Sequence, residues 1–159
     1  MSVGNMGTRH HELVYYRNDS IFEQSNDKFQ FVVSTEKHII SKVVRRGNKY
    51  FYIGPFDNYL RCISVKGVVD SSYVGCAMNF LFLDKNSNLW ASTEVGLLQF
   101  FDNGFSNYPT SQLNAIWSIS EDKNHNILFG SYYKPDSLWV LKNKRVQSIK
   151  NNNPVSVAS

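Results

Sequence analysis

The residues best suited to proton transfer or metal binding near neutral pH are four histidines, His10, His11, His38 and His125. His10 and His11 are adjacent in a start containing Gly, Asn, Thr and Arg, and two neighbouring ligands without a third do not make a metal site. His125 occupies the variable slot of a polar turn whose earlier counterpart has Ser87, which makes it an exposed turn residue. Cys62 and Cys76 lie fourteen positions apart, each inside an apolar run. No CxxC or Cys/His spacing offers a zinc site. Both read as small buried hydrophobes, with a bridge between them left open.

Asp84 and Asp122 are the carboxylates in the most regular setting, each heading an Asp-Lys-Asn-x-Asn turn. A catalytic acid belongs to one site, whereas a carboxylate that recurs at a fixed period has a structural task, here accepting backbone N–H groups of its own turn. Trp90, Trp117 and Trp139 have faces that suit sugar rings, and equally suit the wedge between packed sheets. Trp90 is expected in the core. Tyr132 and Tyr133, in a loop marked by Pro135 and Asp136, are the expected ligand contacts together with Trp117, and Arg61 with Asp57-Asn58 could line the same kind of rim. No catalytic constellation, metal set or cofactor motif emerges.

The elements that carry these residues form a repeat. Shifting the run Met78–Thr93 by 38 positions places Asp84 on Asp122, Lys85 on Lys123, Asn86 on Asn124 and Asn88 on Asn126. The apolar positions Met78, Leu81 and Leu89 fall on Ile116, Ile119 and Ile127. Further on, Leu97-Leu98-Gln99-Phe100 corresponds to Leu138-Trp139-Val140-Leu141 at a shift of 41, with the extra residues confined to the Tyr132–Asp136 loop. Each unit reads as strand, Asx turn, strand, loop, strand, tight turn, strand, and Asp102-Asn103-Gly104 is a hairpin signal. Four short antiparallel strands in about forty residues is the content of one β-propeller blade.

Weaker copies lie upstream. Tyr50–Gly54, Leu60–Val65 and the Lys66-Gly67 turn repeat the order, and Leu13–Phe22 reads as the closing half of an earlier blade. Phe31-Val32-Val33 and Ile39-Ile40 are expected in strands. The expected organisation is therefore a disordered segment over 1–11, blade repeats over 12–149 with the best-defined units at 76–108 and 114–149, and a disordered tail over 150–159. The fold class is all-β, a partial propeller of about three to four blades.

Composition agrees. Of the 159 residues 42% are hydrophobic and 14% aromatic, enough for a core, while only 19% are charged. The net charge of +4 is dispersed over turn positions, Arg45-Arg46, Lys49, Lys66, Lys142, Lys144 and Arg145, rather than gathered on one face, which argues against nucleic acid as a partner. No apolar signal region and no run of about twenty apolar residues is present.

The two best units resemble the two-component regulator propeller repeat. The resemblance rests on Asp84, Asn88-Leu89-Trp90, Ser92-Thr93 and Gly96-Leu97, and again on Asp122, Asn126-Ile127-Leu128, Gly130-Ser131 and Leu138. It covers about half the chain, residues 76–149. Leu128 departs from the blade aromatic, and Ser92 and Ser137 depart from glycines. The sialidase Asp-box does not fit, because Asp84 and Trp90 are one residue too far apart and its Gly and Thr are missing.

The resemblance implies the sensory region of a membrane-bound bacterial histidine kinase, periplasmic and responsive to carbohydrate-type ligands, with kinase activity outside this chain. The expectation is a non-catalytic ligand-sensing or interaction module whose partners are further propeller blades of the same or another chain. The competing readings are a propeller-type enzyme, a lyase or glycoside hydrolase, and a purely structural scaffold.

Overall fold

The computed structural model describes residues 13–67, 69–102, 104–109, 115–131 and 137–150. The described residues form strands and no helix. β1 (Val14–Arg17), β2 (Ser20–Ser25) and β3 (Lys28–Ser34) make a three-stranded first sheet. The second sheet holds β4 (Lys42–Arg46), β5 (Lys49–Ile53), β6 (Tyr59–Ser64) and β7 (Val69–Tyr73). The third holds β8 (Met78–Leu83), β9 (Leu89–Thr93), β10 (Gly96–Phe101) and β11 (Gly104–Pro109). The fourth holds β12 (Ile116–Glu121), β13 (Ile127–Ser131), β14 (Ser137–Lys142) and β15 (Arg145–Lys150).

Every sheet is an antiparallel meander in chain order. The turns explain the register. Asn26 and Asp27 both have positive φ between β2 and β3, as do Asn143 and Lys144 between β14 and β15, the left-handed pair that matches strand twist in a two-residue hairpin.

The core lies between sheets. One cluster joins Val14, Tyr16, Ile21 and Val33 of the first sheet to Val43, Tyr50, Tyr52 and Ile63 of the second. Another joins Val44, Ile53 and Leu60 to Leu81, Leu89, Leu98 and Phe100 of the third. The last joins Trp90 and Leu97 to Ile119, Ile127, Phe129 and Leu141 of the fourth. Strands β4 and β12 both pack on β8, so the first strands of successive sheets gather on one side. Because the third sheet is covered on both faces, every residue of β9 is buried. The result is an all-β arc of propeller blades.

Ile39-Ile40 is a correction to the strand expectation. The segment from Thr35 to Ser41 is the connection from the first sheet to the second. Ile40 enters the core, its N–H donating to the Asn18 carbonyl at 2.7 Å, while Ile39 points to solvent. One buried apolar residue plugging an inter-sheet junction looks in sequence like a strand fragment. At the other end β15 runs to Lys150, one residue into the expected tail.

Candidate functional site

The recurring carboxylates are positioned by their own turns. Asp84 Oδ1 accepts the N–H groups of Asn86 and Asn88 at 2.9 and 2.8 Å, and Oδ2 accepts Asn88 Nδ2 at 2.8 Å and Trp90 Nε1 at 2.9 Å. Asp122 repeats this with Asn124 N, Asn126 N and Asn126 Nδ2 at 2.8, 2.9 and 2.8 Å. Ser87 and His125 take the left-handed position in each turn. Leu128 stands where Trp90 does and has no N–H to give, so the Asp122 network is one bond shorter. The Asn126 side chain is the main cause that holds the Asp122 carboxyl below its usual range, backed by N–H groups of the turn. Asp84 is a saturated acceptor, and both carboxylates are engaged by their own turns.

Thr93 closes the next loop. Its hydroxyl donates to the Gly96 carbonyl at 2.8 Å and accepts the Gly96 N–H at 3.0 Å. Gly130 pairs with Leu138 across β13 and β14, and Ser131 ends β13 as a buried residue. Trp90 is buried in the cluster between the third and fourth sheets, and Trp139 packs against the same cluster. Trp117 is exposed at the bulge that opens β12. Tyr132 and Tyr133 lie outside the described residues, so the sequence-predicted contact group is not brought together among them.

A different cluster gathers at the loop rim of the second sheet. Asp57 receives the Tyr59 N–H on Oδ1 at 3.1 Å and is ion-paired through Oδ2 with Arg61 Nη1. The Arg61 guanidinium lies 5.3 Å from the centre of the Tyr59 ring, whose centre is 5.2 Å from that of Tyr73. Both tyrosine rings are open to solvent, Tyr73 at 63% exposure. Arg61 pairs across the ladder with Tyr52, which is fully buried. The Tyr52 hydroxyl and the Nδ1 of His38, whose rings are 6.4 Å apart, have no hydrogen-bond partner among the described residues.

Burial pushes the Tyr52 hydroxyl up from its usual value, with Arg61 opposing and Asp57 adding to the rise, so it stays protonated at neutral pH. An unpaired buried polar group costs about 1–3 kcal/mol. At its surface the cluster offers a guanidinium and two aromatic faces, with the Tyr52 hydroxyl and His38 Nδ1 closed off from solvent.

Sequence reasoning found Arg61 and Asp57 as polar residues beside a loop. It missed Tyr52, and it named His38 among the four histidines without giving it a place. The available signal was a tyrosine at an inward strand position, where its hydroxyl must be placed among apolar neighbours.

A second concavity, about 280 Å³, lies between the second and third sheets and is lined by Arg46, Lys49, Cys62, Asp70, Phe101 and Asp102 among others. Its cations and carboxylates are mixed, and burial pushes the Cys62 thiol up, away from reactive thiolate. Cys62 and Cys76 are both free. Among the described residues no group of three His, Cys, Asp or Glu is placed to hold a metal ion. No described helix is long and apolar enough to cross a membrane.

No family model matches the sequence, and no curated protein does. Solved structures do match. Virginiamycin B lyase from Staphylococcus aureus is similar over 90% of this chain and 53% of its own, with a TM-score of 0.71 and 11% identity. The extracellular domain of a hybrid two-component system protein from B. thetaiotaomicron is similar over 90% of this chain and 20% of its own, with a TM-score of 0.64 and 18% identity. A WD40 β-propeller domain is similar over 76% of this chain and 43% of its own, with a TM-score of 0.59 and 15% identity. At these identities the likeness is one of fold, the β-propeller. The chain spans about half the length of the lyase it resembles.

Proposed function

We propose that this chain is a ligand-sensing or interaction module, part of the extracytoplasmic propeller region of a two-component signalling receptor, with no catalysis of its own. The observation that carries the reading is the Asp57–Arg61 pair beside the exposed Tyr59–Tyr73 shelf. Donors behind and aromatic faces in front suit a hydroxyl-rich ring, which makes a carbohydrate-type ligand the natural occupant. The similarity to an extracellular domain of a two-component system supports the setting.

Isothermal titration of the 159-residue chain with a panel of neutral and uronic-acid oligosaccharides tests the ligand. Binding by at least one, lost in both Arg61→Ala and Tyr73→Ala, is the expected result. Binding that survives both substitutions, or no binding by any member of the panel, overturns it.

The second reading is a propeller lyase, favoured by one observation. His38 and Tyr52 lie side by side with unpaired polar atoms, and histidine with tyrosine can serve as base and acid. A catalytically inactive histidine-to-alanine variant of the lyase is also among the similar structures. Under this reading cleavage of a bound oligosaccharide would be detected and would vanish in His38→Ala. Under the leading reading ligand is bound and recovered intact.

A further inference from the structure

The repeat explains why the second and third sheets enclose a concavity. On the face that the third sheet turns to the fourth, Trp90 stands opposite Gln99, and Leu97 opposite Tyr108 in the next row. The Trp90 and Tyr108 ring centres are 6.0 Å apart, and the Tyr108 hydroxyl donates to Gln99 Oε1 at 3.1 Å. Aromatic rings fill that wedge. On the face that the second sheet turns to the third, the same ladder positions hold Phe51 opposite Cys62 and Leu60 opposite Ser72. Phe51 thus stands for Trp90, and Ser72 for Tyr108. With a hydroxymethyl group where the next sheet has a phenol ring, this wedge stays open as the concavity of about 280 Å³.

Its lining is apolar in part and charged in part. Leu60, Leu89 and Phe100 contribute buried apolar surface. Arg46 and Lys49 face each other across the last rung of the β4–β5 ladder, a pair of like charges that an anion would relieve. Asp70 stands opposite Cys62 in β7, and Asp102 lies in the turn between β10 and β11. Among the described residues none of these four charges is held in an ion pair. A purely anionic ligand would meet the two aspartates, and a purely cationic one the arginine and lysine. A ligand carrying one charge of each sign satisfies both. The volume is at the lower end of ligand pockets, about 300 Å³, which restricts the occupant to a single small molecule.

We infer that this concavity binds an aromatic amino acid as its zwitterion. The ring takes the place beside Phe51 that Tyr108 takes beside Trp90 in the next wedge. The carboxylate lies at Arg46 and Lys49, and the ammonium group faces Asp70 and Asp102. Arg46 and Lys49 flank the β4–β5 turn, whereas Asp57 belongs to the β5–β6 loop at the opposite end of β5. The inference is therefore independent of the carbohydrate reading.

Isothermal titration of the full chain with L-phenylalanine, hydrocinnamate and phenethylamine tests it. L-phenylalanine is expected to bind, and the two analogues, each lacking one charge, to bind about tenfold more weakly or worse. Ser72→Tyr supplies the missing ring and abolishes binding. The double variant Arg46→Gln, Lys49→Gln weakens it by about tenfold or more. Ser72 and Lys49 are exposed and Arg46 is half-buried beside a turn, and near-ultraviolet circular dichroism checks that each variant keeps the fold. If Ser72→Tyr does not, the double variant carries the test. Bound L-phenylalanine also slows alkylation of Cys62 by N-ethylmaleimide, while Cys76, outside the lining, reacts as before. Absence of L-phenylalanine binding, an analogue that binds as tightly, binding that survives in a folded variant, or unchanged alkylation of Cys62 overturns the inference. Arg61→Ala leaves L-phenylalanine binding unchanged and removes oligosaccharide binding, so the two sites fail separately.

Discussion

At the residue scale the informative comparison is between two aspartates that the repeat makes equivalent. Asp84 is buried and takes four hydrogen bonds, one from an indole N–H. Asp84→Ala leaves all four donors without their acceptor, and the expected loss of stability is about 3 kcal/mol in urea unfolding. Trp90→Phe removes one of those bonds and costs less on that account, about 1 kcal/mol before packing. Asp122→Ala has a smaller effect than Asp84→Ala, because its carboxylate is open to solvent and has no indole donor. The Asp122 carboxyl titrates below its unfolded value, so its contribution is fully present above the ordinary carboxylate pKa of about 4 and fades as pH falls through the lower folded value. Equal losses at the two positions would show that the indole bond and burial add nothing.

At the element scale the strands were legible because each blade alternates inward apolar residues with turn residues whose backbone preferences are strong. Asp84 to Asn88 and Asp122 to Asn126 share the pattern Asp-Lys-Asn-x-Asn, and the hydrogen bonds they make within the turn are the same. The connection from Thr35 to Ser41 was not legible, since Ile39-Ile40 has strand composition and only the tertiary junction distinguishes a plug from a ladder. The rim cluster was half legible. Asp57 and Arg61 announce themselves beside Pro55 and Gly54, whereas Tyr52 is indistinguishable from a packing tyrosine until its hydroxyl is found without a partner.

Gly96 gives this scale its prediction. It begins β10 at φ 154°, and a Cβ there would come within 2.5 Å of the Tyr108 carbonyl oxygen. That oxygen belongs to the backbone of β11, so relief requires separating two strands. Gly96→Ala is expected to cost roughly 3 kcal/mol or more in equilibrium unfolding. Gly104→Ala has nothing within 4 Å of the added carbon and serves as the control for backbone conformation alone. Similar costs at both positions would mean that the close approach of β10 and β11 is not what demands glycine.

At the scale of the whole molecule, stability should be graded along the chain. Each sheet touches only its neighbours, so the arc behaves as a short one-dimensional array in which a sheet's resistance to opening depends on how many of its faces are covered. The second and third sheets are covered on both faces, the first and fourth on one. Amide exchange measured at high dilution should be slowest in β5 and β9 and fastest in β3 and β15. A flat profile would mean that the arc opens only as a unit.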